Sequence, residues 1–160
     1  MLDVLQVARW FCVRYFDCYK TTIDEMKLHK LLYLAQRESF VRRGVPMFAD
    51  SFRAWKYGPV LTNVRAAFHD GRLCETISPL PEFQQSDEGI LMYVFNTYAA
   101  KGSWSLSRLT HSETSWKNAR GNLEDWERGD GVIAMSDIRI DAERVANRRV
   151  ALSKMGIACA

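Results

Sequence analysis

The stretch Lys27-Leu28-His29-Lys30-Leu31-Leu32-Tyr33-Leu34-Ala35-Gln36 decides the fold. Leu28, Leu31, Leu32 and Ala35 recur at helical spacing and make one apolar stripe. Met26, Tyr33 and Phe40, seven residues apart, make a second stripe on nearly the opposite side. A helix that is apolar on two sides needs neighbours on both, so this segment is expected at the centre of a helical domain. Thr22 and Glu25 have the spacing of a capping box that opens it, and Gly44 closes it after Arg43.

On the N-terminal side, Val4, Leu5, Val7, Ala8, Phe11, Cys12, Tyr15, Phe16 and Tyr19 share one face of an amphipathic helix over residues 3–19. Cys12 and Cys18 fall in that apolar arc and read as buried thiols. On the C-terminal side, Pro46 to Tyr57 lacks helical period and carries Phe48, Phe52, Trp55 and Tyr57, which suits a short extended segment. Gly58-Pro59 then reads as a turn that places Pro59 in the first turn of a helix running through Val64 and Phe68 to Asp70-Gly71.

Leu73 to Phe83, with Pro79 and Pro81, reads as a short strand or loop. Ser86 is expected to cap a helix with Ile90, Leu91, Val94, Phe95 and Tyr98 inward, stopping near Gly102. Ser103 starts a shorter helix, and Gly121 to Gly131 reads as a polar loop. Ser136-Asp137 caps a last helix whose apolar seam (Ile138, Val145, Leu152) is narrow, as for packing on the surface or against another chain. The expected fold class is mainly α: a single compact helical domain over residues 1–160 with a small β element near residues 48–57.

The bounds are mild. With 48% hydrophobic and 12% aromatic residues the chain is no disordered tail. A net charge of +3, from 22 basic and 19 acidic residues, does not demand nucleic acid or an acidic membrane. Cys12, Cys18, Cys74 and Cys159 include no zinc-type pair and fit a reducing cytosol. Met1 to Arg9 lacks the pattern of a signal peptide, and no run approaches the ~18 apolar residues of a membrane span. A cytoplasmic location is expected.

His111 and Glu113, beside Thr110 and Ser112, invite a catalytic reading. Neighbours on a helix project in different directions, however, so adjacency does not build a triad. Their expected role is to fix a turn between two short helices, with Trp116 packed over it. His29 reads as a satisfied histidine at a packing edge, and His69 as a residue at a helix C-terminus. The histidines lie in different elements, and Gly44, Gly58, Gly71 and Gly89 are isolated rather than a phosphate loop. No catalytic, cofactor-binding or metal-binding residue is assigned, and no enzyme is expected.

The rival reading is a DNA-binding regulator that uses Arg139, Arg144, Arg148, Arg149 and Lys154 of the last helix. On a helical wheel Arg139, Arg144 and Arg149 point in three directions, and Asp141 and Glu143 dilute the potential. Nucleic acid is therefore the weaker expectation. Trp55, Lys56 and Tyr57 could stack a base or anchor a protein interface, although core packing is the commoner fate of such aromatics.

Three blocks in order, Lys-Leu-x-Lys-Leu-Leu-Tyr-x-x-Gln at 27–36, Ala-Trp-x-x-Gly-Pro-Val at 54–60 and Leu-Thr-His-x-Glu-x-x-Trp at 109–116, resemble the Panacea domain, the SocA-like or GepA-like phage-associated domain. The resemblance runs from about Thr22 to Arg120, with a matching helix start at 133–140. It departs at Ser115, where family members often carry Pro before the Trp. The resemblance implies a mainly helical bacterial antitoxin of a toxin–antitoxin system. Such a protein binds a toxin encoded nearby, and one member resembles an adaptor that delivers its toxin to a bacterial protease.

On that footing the partner-binding residues are expected to be Lys30, Arg37, Trp55, Lys56, Tyr57, His111, Glu113 and Trp116. Partner specificity could instead sit on 72–87 and 121–136.

Overall fold

A computed structural model describes residues 1–74 and 79–158. Its elements run α1 (Val4–Tyr19), α2 (Glu25–Arg43), β1 (Arg53–Trp55), β2 (Gly58–Val60), α3 (Thr62–His69), α4 (Gln85–Tyr98), α5 (Ser103–His111), α6 (Thr114–Arg120) and α7 (Met135–Lys154). The fold is mainly α with one two-stranded hairpin, as expected.

Helix α2 is the axis. Every residue from Lys27 to Phe40 is buried, because α1, α4, α5, α7 and β2 all pack on it. Its buried polar groups are mostly put to use. Gln36 accepts from the amides of Met47 (2.8 Å) and Phe48 (3.2 Å) and donates to the Phe48 carbonyl (2.9 Å), so it fastens the chain entering the hairpin. Lys27 donates to the Ala99 carbonyl at 2.9 Å, and the Ser39 hydroxyl to the Val45 carbonyl at 2.7 Å. Gly44 ends the helix in the left-handed region (φ 69°), as expected.

The N-terminal cap differs from the expectation. Asp24, not Thr22, accepts the Lys27 amide at 2.9 Å, so the capping pattern is shifted by two residues. In α1 the correction is larger. Trp10, absent from the expected face, is fully buried and meets Phe11 and Phe95 edge to face. The last turn of α1 leaves the core, which exposes Cys18, expected to be buried, and Tyr19. Cys12 is buried, and its thiol is held up by its hydrogen bond with Cys74 and by burial.

The β element lies slightly later than expected. Arg53 pairs with Val60 and Trp55 with Gly58, leaving Lys56-Tyr57 as the turn. Gly58-Pro59 is therefore strand rather than the opening of a helix, and α3 starts only at Thr62. Residues 131–133 lie beside β1: the Ala54 amide donates to the Gly131 carbonyl and the Ile133 amide to the Phe52 carbonyl, both at 2.8 Å. At Gly131 a side chain would collide with the Ala119 carbonyl, so only glycine lets this segment approach α6.

Boundaries shift elsewhere too. Gln84, not Ser86, occupies the N-cap of α4. Gly102 caps α5 rather than ending α4. Ala134, not Ser136-Asp137, precedes α7. Of the Leu73–Phe83 stretch, residues 75–78 lie outside the described residues, and the remainder is neither helix nor strand. Helix α7 packs on this chain's own α2 and α6; of its seam Ile138 is buried, while Val145 and Leu152 are half-buried. Its deepest group is a carboxylate: Asp141 accepts the amides of Thr114 (2.8 Å) and Ser115 (2.9 Å) and the Tyr33 hydroxyl (3.2 Å). Asp141 thus caps α6 from another helix, since α6 has no side-chain cap of its own.

Candidate partner-binding site

The hairpin stands on the third sequence block. Trp116 donates its indole N–H to the Trp55 carbonyl (3.0 Å), and His111 stacks on Trp116 at 4.0 Å and 13°. Arg120 lies over the other side of this assembly, 4.8 Å from the Trp116 ring, and donates to the carbonyls of Ala54, Glu124 and Glu127. His111 and Trp116 therefore do fix the turn. The expected neighbour Glu113 points elsewhere, to Arg37 (2.5 Å) and Arg144 (3.1 Å). His111 meets Ser107 at 3.4 Å, but that hydroxyl donates to the Tyr57 carbonyl at 2.8 Å. His111 and Glu113 do not converge on a common hydroxyl.

The eight expected contact residues divide among three places. Lys30, Trp55, Lys56 and Tyr57 line a cleft of about 330 Å³ together with Glu25, Met26, His29, Val60, Arg65 and Arg128. Arg37 and Glu113 belong to a second cleft of about 680 Å³, walled by Tyr98, Leu109, Val145 and Leu152, with Arg144, Arg148 and Arg149 at its edge. His111 and Trp116 sit behind the hairpin. Lys30, Arg37, Glu113 and Trp116 are buried, whereas Trp55, Lys56 and His111 are half-buried and Tyr57 is exposed.

In the hairpin cleft Lys30 and His29 supply the floor from α2. The Lys30 amine makes one hydrogen bond, at 3.4 Å to the Pro59 carbonyl, and burial lowers its pKa to about 7. A side chain at Gly58 (φ 112°) would lie 2.7 Å from Lys30 Cε, so the glycine leaves room for the lysine. His29 Nδ1 accepts the Leu61 amide at 3.3 Å, which puts the ring proton on Nε2. Burial lowers the His29 pKa and keeps the ring neutral. That Nε2–H faces Glu25 Oε1 at 3.7 Å, too long for a hydrogen bond, and makes none among the described residues.

Among the described residues Glu25 is the only carboxylate lining the cleft. The His29 imidazole, with Arg65 and His69, holds its carboxyl down to about 2 against the effect of burial. Arg65 pairs with Glu25 and also lies 5.3 Å from the Trp55 ring, and His69 Nε2 is 2.9 Å from Glu25 Oε2. Trp55 is steadied by its indole N–H donating to Asp130 at 2.9 Å. At the mouth Tyr57 meets Trp104 edge to face (5.4 Å, 89°), and Trp104 is 64% exposed.

Trp104, Arg65 and Arg128 escape the sequence reading. A signal for Trp104 was present: it lies off the Leu106–Leu109 face of its helix, where solvent is the default.

In and beside the second cleft the buried carboxylates are each matched by two arginines. Glu113, whose pKa burial raises against the pull of Arg37, is shared by Arg37 and Arg144, and Arg144 also reaches Asp141 at 3.4 Å. Arg149 grips Glu38 with two 2.9 Å bonds, and Arg42 joins it at 2.7 Å. The basic residues of α7 considered for DNA are thus partly neutralised: Arg144 and Arg149 face buried carboxylates, and Arg139 lies over the Phe40 ring. Among the described residues no group of three or more His, Cys, Asp or Glu side chains is placed to hold a metal ion. No helix among them is long and apolar enough to cross a membrane.

Residues 28–117 match the family model described as antitoxin SocA-like, Panacea domain. No curated protein and no solved structure matches the chain. The match covers more than half of the sequence and contains α2 from Leu28 onward, the hairpin and the α5–α6 turn. The chain belongs to the SocA-like Panacea family of antitoxin domains.

Proposed function

We propose that this chain is the antitoxin of a toxin–antitoxin pair, acting as one cytoplasmic domain that neutralises a toxin encoded beside it by direct binding. The observation that carries this reading is the exposed aromatic pair Tyr57–Trp104, in which Tyr57 of the family-motif hairpin lines a cation-rich cleft and meets Trp104 of α5. Solvated aromatics held rigidly beside a pocket are the usual anchors of protein interfaces. Trp55, Lys56, Tyr57 and His111 reach the surface, and Lys30 forms the floor beneath them. Trp116 holds that surface in place from within, and Arg37 and Glu113 belong to the second cleft.

Co-expression with the product of the adjacent gene, scored by growth, tests the reading. Wild type should restore growth, and the Tyr57→Ala/Trp104→Ala double variant should lose rescue with an unchanged thermal midpoint. Rescue that survives the double variant would remove the hairpin from the interface. Sequestration predicts rescue in protease-deficient cells, whereas delivery to a protease predicts its loss there.

A further inference from the structure

The donor and acceptor inventory of the hairpin cleft does not balance. Lys30 Nζ and His29 Nε2 are buried donors facing it, the first with one long hydrogen bond and the second with none. Lys56, Arg65 and Arg128 add cationic groups around them. Against these five stands, among the described residues, one carboxylate, Glu25, which pairs with Arg65 and His69 and lies 3.7 Å from His29 Nε2. A buried donor left without an acceptor costs free energy, and the deficit here is all of one sign. What sets this place apart from the other buried unpaired donors of the chain is that the donors gather on one open cleft with other cations. The walls, Trp55, Tyr57 and Val60, are aromatic or apolar and suit a short methylene stem more than a hydrated ion.

The geometry points to a carboxylate receptor: the cleft takes an Asp or Glu side chain of the partner polypeptide, with its carboxylate on Lys30 Nζ and His29 Nε2 and its stem between Trp55 and Tyr57. The inference rests on the reading of the chain as a toxin-binding antitoxin and names the chemistry of that contact. Charge complementarity selects this occupant. Arg65 and Arg128 at the entrance steer an acid inward, and a base would meet three cations. Seating the acid restores the positive charge that burial takes from Lys30. Tyr57 and Trp104 then close around the stem as the ring that excludes water.

Two experiments decide it. In the first, phenylacetate and the neutral phenylacetamide are titrated into the protein and followed by amide resonances. Phenylacetate should shift Lys30, Trp55 and Tyr57 saturably, phenylacetamide should not, and Lys30→Met should abolish the response. In the second, affinity for the purified product of the neighbouring gene is measured by calorimetry. Lys30→Met should weaken it by at least about thirtyfold while raising the thermal midpoint, which separates lost binding from lost folding. Arg128→Ala should weaken it severalfold. One acidic residue of the partner, changed to its amide, should reproduce the Lys30→Met loss and add nothing to it.

Equal response to phenylacetate and phenylacetamide, or full affinity in Lys30→Met, overturns the receptor and leaves the antitoxin reading intact. A wild-type protein that takes phenylacetate but does not bind the neighbour's product overturns the antitoxin reading, and with it the partner side chain proposed here.

Discussion

Helix α2 buries charge twice, with opposite outcomes. In its C-terminal half Arg37 and Glu38 are matched by Glu113, Arg144, Arg42 and Arg149, so each carboxylate there has two cations and each bond is within 3.1 Å. In its N-terminal half His29 and Lys30 face a cleft with one carboxylate at its edge and a donor left idle. At one end each carboxylate is matched by two cations, although Arg37 Nε makes no hydrogen bond among the described residues; at the other, cations outnumber the carboxylate beside them. Structural ion pairs are closed by their own chain, and a site meant for a partner is the place where closure stops.

The largest effect is expected where the closed half is opened. Glu113→Ala leaves Arg37 buried beside an already unpartnered Nε and should cost about 3–5 kcal/mol in urea unfolding. A loss below about 1 kcal/mol would mean that the network is solvated and the contrast between the two halves is false.

The opposite sign is expected at the other end. Lys30→Met should stabilise the free protein by about 1–4 kcal/mol near neutral pH, because a poorly compensated buried amine is replaced by a methylene chain. The pH dependence follows. The folded-state pKa, about 7, lies below the ordinary 10.5, so the unfolded chain holds a proton that the folded chain lacks between those values. The lysine's penalty is full below about pH 7 and fades as pH rises. Asp24 and Glu25 pull that pKa upward, and neutral His29, His111, Lys56, Arg65 and Arg128 are the other charged and titratable groups around it. Stability of wild type relative to Lys30→Met should therefore climb from pH 7 to 9, and a flat difference would show that the amine is hydrated.

Asp141→Asn tests the cap that joins α7 to α6. Losing the negative charge at two amides and the Tyr33 hydroxyl should cost about 1–2 kcal/mol, read from the thermal midpoint.

The smallest effect belongs to Glu25. Its folded pKa of about 2 lies below the ordinary 4.5, so its contribution is complete above 4.5 and is lost as pH falls toward 2. Glu25→Gln should flatten that acid limb by less than about 1 kcal/mol, since solvent screens a partly exposed group.

These contrasts also mark what the sequence can and cannot disclose. The centrality of α2 was legible because periodicity reports which sides of a helix must be covered, and the two stripes covered both. Gly44 and the α5–α6 turn were legible for similar local reasons. Competing local signals were misread. Thr22 and Asp24 could both cap α2, and Gly58-Pro59 could open a helix or enter a strand; pairing with Ala54 decided the second case.

At the site, Lys30, Trp55, Lys56 and Tyr57 were named from the motifs, and they line one cleft. Arg37 and Glu113 were named with them, yet they meet each other inside a different cleft. Which arginine meets which carboxylate depends on contacts dozens of residues apart, and no spacing along a single helix encodes that. Ser115 shows the same limit: its hydroxyl bonds Tyr33 at 2.7 Å and its amide bonds Asp141, an amide that the proline common in the family could not offer.

Asp141 carries a consequence for how the family module can be handled. The segment that matches the family model stops at residue 117, before the carboxylate on which the start of α6 depends. Excised at those limits, the fragment would carry the hairpin's Trp116 prop on a helix whose first amides point at nothing. Fusions and domain grafts built from this chain should therefore travel with α7 attached, because the part that resembles its relatives is not the part that can stand alone.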